Sequence, residues 1–217
     1  MKTLLQLAAT ILASSLILAG CQTPRYDYSN FYAHPPRSIL VLPPINETND
    51  LEATYGYYTT LSQPIAERGY YVFPLALVDQ VMKENGLPTA GEMQGASLAK
   101  MGQVIGADAV LYTTLKQYGS KFRVIGSDTT VEVLARLVDT RTGVLLWEGH
   151  GIATESVALN GGNSLLLASI VAAAGHISSK KSDKAHTVSR EANEDLFAKK
   201  GTGLPYGPYS PNYHTDR

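Results

Sequence analysis

An apolar run that ends at the chain's single cysteine constrains this protein more than any other feature of its sequence. Lys2 precedes residues 4–18, which are nearly all apolar or small, and the tetrapeptide Leu-Ala-Gly-Cys follows at 18–21. A basic start, an apolar centre and small residues before a cleavage point are typical of a secretory signal peptide. The alternative, a membrane-spanning helix, needs roughly 20 apolar residues, and the run is shorter. We therefore predict that residues 1–20 are removed on export.

The tetrapeptide resembles the lipobox of bacterial lipoproteins. The resemblance implies a diacylglycerol on the thiol of Cys21, cleavage before that residue, and a further acyl chain on the new amino group. Each buried methylene contributes about 0.8 kcal/mol, so two or three chains would keep the protein on its membrane. Gln22 follows the cysteine in place of Asp, which in the enterobacterial sorting rule implies the outer membrane, on either its periplasmic or its surface face.

Composition limits what the exported chain can be. Cys21 is the only cysteine, so no disulfide can form within the chain. The formal net charge of −1 and the lack of a long basic run argue against a nucleic-acid partner. A chain of 217 residues less a signal peptide is long enough to bury one sizeable core.

Both ends of the mature chain lack apolar periodicity. Residues 21–36 end in two prolines and predict a lipidated tether, which would extend over about 50 Å. Its four aromatic residues would alternatively lie along the domain surface. Residues 201–217, rich in Gly, Pro and Tyr, predict a flexible C-terminal tail, with docking through its tyrosines as the alternative.

Between these ends, residues 37–200 predict one three-layer α/β (α+β) domain. Short apolar runs bounded by Pro or Gly alternate with helical spacing, and three strand-like runs then follow without helices between them. This order, β-α-β-α-β-β-β, predicts a mixed sheet of about five strands, parallel at its centre and continued by an antiparallel meander. Polar and apolar residues alternate over 131–138, as in a strand with one wet face, and Asp-Thr-Arg-Thr-Gly at 139–143 predicts a tight hairpin turn within the meander. The predicted strands are 38–42, 70–74, 109–118, 129–139 and 144–154, and the predicted helices are 51–68 with a kink at Pro64, 75–85, 95–105 and 187–199.

One further helix is predicted at 164–177, where the sequence is apolar nearly all round. At this length it is too short to span a bilayer. It is either a core helix or a helix exposed for a partner. In the second case its candidate assembly surface is formed by Leu165, Leu166, Ile170 and Val171.

Two segments carry a resemblance to known proteins: Gly-Ala-Asp-Ala-Val-Leu at 106–111 and Ala-Arg-Leu-Val-Asp-Thr-Arg-Thr-Gly-Val-Leu-Leu-Trp at 135–147. They resemble the lipoproteins that include the curli secretion channel subunit and the penicillin-binding-protein activator, and the amino-terminal domain of TolB. Over nearly its whole length, the chain resembles a family of Gram-negative lipoproteins of unknown function with a member in Neisseria. The resemblance implies an α/β fold over residues 37–156 and no reaction.

Motifs of catalysis are missing from the sequence. It contains no Gly-x-Ser-x-Gly elbow, phosphate-binding loop or His-Glu-x-x-His pair, and its five histidines fit no metal-site spacing. We therefore predict no catalytic residues, no metal and no cofactor beyond the covalent lipid. Four carboxylates on the predicted meander, Glu132, Asp139, Glu148 and Glu155, are the residues that an acid-base site would use, although charged residues on the wet face of a sheet are the simpler explanation.

Three functions follow from these observations. The first is a non-enzymatic binding or assembly component of a cell-envelope complex, such as a transport or secretion system, in contact with other envelope proteins or copies of itself. The second is an envelope hydrolase acting on the cell wall through the meander carboxylates. The third is a lipid or ligand carrier whose helix at 164–177 covers an apolar pocket.

Overall fold

The computed structural model describes residues 26–123, 126–158 and 177–215. Its strands are β1 (Ser38–Val41), β2 (Ile45–Asn46), β3 (Tyr71–Val72), β4 (Ala109–Arg123), β5 (Gly126–Asp139) and β6 (Leu145–Ala158). Its helices are α1 (Ser29–Ala33), α2 (Ala53–Tyr58), α3 (Ser62–Glu67), α4 (Leu75–Glu84), α5 (Ala90–Gln94), α6 (Leu98–Ile105) and α7 (Ile177–Ala198).

The strands form one mixed sheet in the order β3-β1-β4-β5-β6, and the short β2 pairs with β4 beyond the end of β1. β1 runs parallel to β3 and β4, whereas β4, β5 and β6 are antiparallel. The predicted fold class is therefore confirmed. β1 is buried on both faces because helices cover both sides of the sheet there, which explains its unbroken apolar sequence.

The strands of the meander are longer than predicted. Pairing of β4 with β5 continues to Arg123 and Gly126, and β6 runs to Ala158. The extra rungs contain Ser and Gly together with charged residues, so they lack the apolar alternation that marks a strand in the sequence. Where they begin, hydroxyl contacts join the strands, Ser120 with Thr129 at 2.7 Å and Thr130 with Thr154 at 3.1 Å.

The helix predicted over 51–68 is two short helices, α2 and α3. The break falls before Pro64, not at it. In one continuous helix the Pro64 ring would clash with the carbonyl of Thr60. With a new helix starting at Ser62, Pro64 instead occupies the first turn, where no main-chain donor is needed.

The remaining helices differ from their predicted bounds. Residues 90–94 form α5, which begins with a capping box between Thr89 and Glu92, and α6 begins at Leu98 rather than Gly95. α7 begins ten residues before its predicted start at Thr187.

The hairpin turn predicted at 139–143 joins β5 to β6. Asp139 is 2 % exposed, and its carboxylate accepts hydrogen bonds from the main chain of Arg141 (3.0 Å) and Thr142 (2.7 Å). Burial raises the pKa of Asp139, but these bonds and the Thr142 hydroxyl outweigh it, so the pKa lies below its usual value. Gly143 has a positive φ of 73°, which side chains rarely adopt.

The sheet separates two cores. The larger one lies under α2, α3 and α7 and contains Trp147, Tyr57 and Phe197, and the smaller one lies under α4, α5 and α6 around Leu40 and Val110. In the larger core, Asn193 donates to the main-chain oxygen and the hydroxyl of Thr60 and accepts from the Tyr57 hydroxyl. A buried polar group is thus fully paired between α2 and α7.

The segment predicted as a tether is docked on the domain from Tyr26 onward. Phe31 of α1 is 1 % exposed and belongs to the larger core, and the Tyr28 hydroxyl donates to the carbonyl of Gly203 at 2.6 Å. The structure therefore matches the alternative of aromatic residues lying along the domain. The gain from burying these rings outweighs the entropy of a free segment.

The segment predicted as a flexible tail also packs on the domain, as far as it is described. Leu204 is 1 % exposed, the Tyr70 hydroxyl donates to the carbonyl of Pro205, and the Gly207 amide donates to the carbonyl of Arg68 at 2.8 Å. The tail carries few apolar side chains of its own. Its described part is held by Leu204 in the larger core and by hydrogen bonds to distant residues, which leave no periodic pattern in the sequence.

We predict that Tyr57→Phe lowers the free energy of unfolding by about 1–3 kcal/mol, because the buried carbonyl oxygen of Asn193 loses its donor. The matched control is Tyr55→Phe, which removes a hydroxyl that binds Asp79 at an exposed site. Urea unfolding followed by circular dichroism measures both variants. Equal losses would contradict the assignment of the Asn193 contacts as a stabilising network.

Candidate interaction surfaces

One half of the sheet is covered on only one face. α7 packs across β4, β5 and β6 on one side, whereas on the other side α4, α5 and α6 lie over β1 and β4. Within the described ranges, no helix covers β5 and β6 on that second side. We call this surface the open face and define it by its side chains Glu132, Leu134, Arg136, Glu148, His150 and Ile152.

The open face alternates apolar and charged groups. Leu134 is 39 % and Ile152 45 % exposed. Leu134 lies opposite His150, and Arg136 lies opposite Glu148. Exposed aliphatic side chains on adjoining strands, surrounded by charges of both signs, are typical of a protein contact surface.

Glu132 is the centre of a polar group at one end of this face. Its carboxylate lies 3.1 Å from Nε2 of His150 and accepts a hydrogen bond from the Gln117 amide at 2.7 Å. The His150 side chain is about half exposed, so the pair is accessible to solvent. A carboxylate beside an imidazole is able to exchange a proton with a bound group.

The four carboxylates considered from the sequence are not brought together. Glu132 and Glu148 share the open face, but Glu148 lies opposite Arg136 while Glu132 lies opposite Ile152, four residues further along. Asp139 is enclosed in the hairpin turn. Glu155 lies on the other face, where it pairs with Lys184 of α7 at 3.1 Å.

Side chains cap the main chain of β6, the edge strand beside the open face. Asn30 donates to the carbonyl of Leu145 (3.3 Å), and the amides of Glu148 and Ile152 donate to the Tyr26 hydroxyl (2.8 Å) and to Asp195 (3.2 Å). Unpaired edge groups are a template for unwanted strand pairing. These three contacts therefore protect the edge over residues 145–152.

Gly149 and Gly151 determine how closely α7 approaches this edge. A β-carbon on Gly149 would clash with the Trp147 ring, and one on Gly151 would lie 2.5 Å from the carbonyl oxygen of Ala192. Two glycines at alternate positions of a strand indicate close backbone approach. This pair is the feature of the sequence from which the contact with α7 could have been predicted.

The predicted lipid attachment residue Cys21 and the candidate assembly surface of Leu165, Leu166, Ile170 and Val171 lie outside the described residues. Both stay predictions. In the part of the chain that the structure describes, no three His, Asp or Glu side chains are placed to hold a metal ion together. None of the described helices combines the length and hydropathy needed to cross a bilayer.

Comparisons with known proteins agree on one family. A family model described as "Putative lipoprotein GNA1162-like" matches residues 26–209. The chain is 39 % identical over 205 residues to "Putative lipoprotein NMB1124/NMB1162" of Neisseria meningitidis serogroup B, which covers 93 % of this chain and 90 % of that protein. The crystal structure of lipoprotein GNA1162 from Neisseria meningitidis matches with a TM-score of 0.54 and 40 % identity, over 67 % of this chain and all of that one.

We predict that Tyr26→Phe weakens the docking of residues 26–34 by about 1 kcal/mol, because the Glu148 amide loses its acceptor. Amide hydrogen exchange at Glu148 should become several times faster. Tyr209→Phe, at a residue 67 % exposed, is the control and should leave that rate unchanged. Unchanged exchange in Tyr26→Phe would show that the contact does not hold the segment.

We also predict that docking of this segment weakens in alkali. Burial raises the pKa of the Tyr26 hydroxyl, and the opposing bond from Glu148 does not cancel the shift. The docked state therefore favours the neutral phenol, and its stability is complete below the usual pKa of about 10 and is lost as the pH rises through the higher docked value. The rate of proteolysis within residues 26–34 should rise with pH in the parent protein, and this rise should be smaller in Tyr26→Phe.

Proposed function

The chain belongs to the GNA1162-like lipoprotein family, and from this premise we propose that it is an outer-membrane lipoprotein that acts as a non-enzymatic assembly component of a cell-envelope complex. The family is one of lipoproteins, which gives the chain a lipid-anchored place in the envelope. Gln22 after the lipidated cysteine supports the outer membrane over the inner one. A transport or secretion system is the kind of complex that we propose.

The open face is the observation that carries this proposal. It presents Leu134 and Ile152 on a rigid antiparallel sheet, where their positions are held by pairing on both β5 and β6. Covering exposed aliphatic surface contributes about 25 cal/mol per Å². The main chain of this surface is already ordered by strand pairing, so binding costs little main-chain entropy.

The open face carries both acidic and basic side chains, which suits a partner whose surface also carries charges of both signs. Arg136 lies opposite Glu148, so the face offers a cationic and an anionic side chain to a second copy of itself. We therefore propose a copy of this chain as the first partner to test, with another envelope protein as the alternative. The predicted apolar surface of Leu165, Leu166, Ile170 and Val171 would add to the same assembly.

The absence of enzyme motifs in the sequence and the separation of the four carboxylates support a non-enzymatic role. One observation favours the second candidate, an envelope hydrolase: Glu132 and His150 form a solvent-accessible pair. The ligand-carrier hypothesis depends on the helix predicted at 164–177, which lies outside the described residues, so that hypothesis stays a prediction.

The test of assembly is the mass in solution of a soluble form that begins at Gln22, measured by light scattering. We expect a defined oligomer, and we expect L134T/I152T, which places the β-branched residue Thr at both strand positions, to be a folded monomer. L166Q/I170Q tests the predicted apolar helix in the same way. A76T, at an exposed site of α4, serves as the surface control and should keep the parent mass.

A second measurement covers a different envelope protein as partner. A photoreactive amino acid replaces Leu134 in the full lipoprotein in cells, and the same replacement at Ala76 is the control. We expect one adduct of defined mass at position 134 and none at position 76. A monomer by light scattering together with no adduct at position 134 would overturn the proposed assembly role.

The hydrolase candidate is tested by Glu132→Gln and Glu148→Gln in cells. If cells that carry either variant behave like cells that carry the parent protein, Glu132 and Glu148 are ruled out as an acid-base pair. Loss of function in Glu132→Gln with unchanged assembly would favour the hydrolase.

A further inference from the structure

The distance between the lipidated cysteine and the folded domain is short. The first described residue, Tyr26, is only five positions after Cys21. At about 3.3–3.6 Å per extended residue, that link spans at most about 18 Å. The whole segment 22–36 would reach about 50 Å if it were free.

Residues 26–34 do not add to the reach of the link because they are attached to the domain. Phe31 is buried in the larger core, and Tyr28 donates to the carbonyl of Gly203. Tyr26 and Asn30 bind the main chain of β6. The point at which the chain leaves the domain toward its lipid is therefore the edge strand β6.

From these two observations we propose that the β6 edge of the domain faces the phospholipid headgroups of its membrane and lies against them. We call this surface the membrane-facing edge and define it by Tyr26, Lys199 and Thr202, which line a groove that borders Glu148 of the open face. The proposal rests on the lipid anchor at Cys21 and not on the proposed assembly.

The side chains of this edge suit a headgroup layer. Tyr26, Tyr28 and Tyr32 are half-buried and in ring contact with one another, with centroids 4.6 and 6.1 Å apart, and tyrosine is enriched where protein meets the membrane interface. Lys199 and Lys200 are exposed at the end of α7, and Arg25 lies in the link itself. Exposed Asp27 and Glu148 balance part of this charge, so the short link determines the orientation more than attraction to anionic lipid does.

This orientation has a consequence for the rest of the domain. β3 forms the edge of the sheet opposite β6. The β1 strand, which lies under α4, is three strand spacings away from β6. With strands about 4.8 Å apart, that is about 14 Å further from the membrane. The open face then stands beside the membrane surface, where a second anchored protein would meet it.

The experiment uses the full lipoprotein with its native lipids, reconstituted in phosphatidylcholine and phosphatidylglycerol vesicles without any partner protein. Cys21 is the only cysteine, and its thiol is bound to lipid, so an introduced cysteine is the single free thiol for a fluorescent label. Thr202→Cys reports on the membrane-facing edge, and Ala76→Cys on the far side. Both side chains are exposed, and the contact of Thr202 with Trp147 uses only its main-chain oxygen.

Energy transfer to acceptors on lipid headgroups gives the closest approach of each label. We expect the label at 202 to lie nearer the headgroups than the label at 76 by about 14 Å, the width of three strand spacings. Equal distances, or a nearer label at 76, would overturn the proposal. Because the vesicles hold no partner, this result is independent of whether the chain assembles.

A linker variant identifies what holds the orientation. Ten Gly and Ser residues inserted between Arg25 and Tyr26 lengthen the link to about 50 Å. If the two labels become equally distant from the headgroups in this variant, the proposal holds and the short link is what orients the domain. If the difference in distance persists, the proposal holds and direct contact of the edge with the headgroups is what orients the domain.

Discussion

The packing of α7 against the long antiparallel strands is the contact on which the rest of this structure depends. Trp147 of β6 stacks on Phe197 of α7 with ring centroids 5.8 Å apart, and Gly149 and Gly151 leave room for the helix to approach. The Asn193 network then joins α7 to α2. On the other side, where α4, α5 and α6 lie over β1 and β4, no described helix covers β5 and β6.

Both chain segments that flank the domain complete that contact. α1 places Phe31 in the core beside α7, and the residues after α7 bind the Trp147 indole and the Tyr28 hydroxyl through the carbonyls of Thr202 and Gly203. The first described residues and those that directly follow α7 therefore meet at the β6 edge. Because the segment around α1 is docked on the domain, a lipid on Cys21 would hold the domain close to the membrane rather than at the end of a long flexible tether.

Local patterns in the sequence were reliable where one short-range cause decides the structure. The Asp139 turn follows from an Asp side chain that binds the next main-chain amides and a glycine that accepts positive φ. The alternation in 131–138 follows from a strand with one covered face. Pro64 was interpreted as a kink in one helix, but its effect depends on where the helix begins, which the clash with Thr60 decides.

By itself the sequence determined the lipoprotein character, which the family match bears out, and the order of the five main strands, because both depend on residues that are neighbours along the chain. Only the tertiary structure decided that Tyr26 to Ala33 and Leu204 to Ser210 are docked, that the four carboxylates are apart, and that Leu134 and Ile152 share an open face beside Glu132 and His150. The physical reason is that these features arise from contacts between residues far apart in the chain. Hydrogen bonds such as Tyr28 to Gly203, across 175 positions, leave no periodicity that a sequence pattern records.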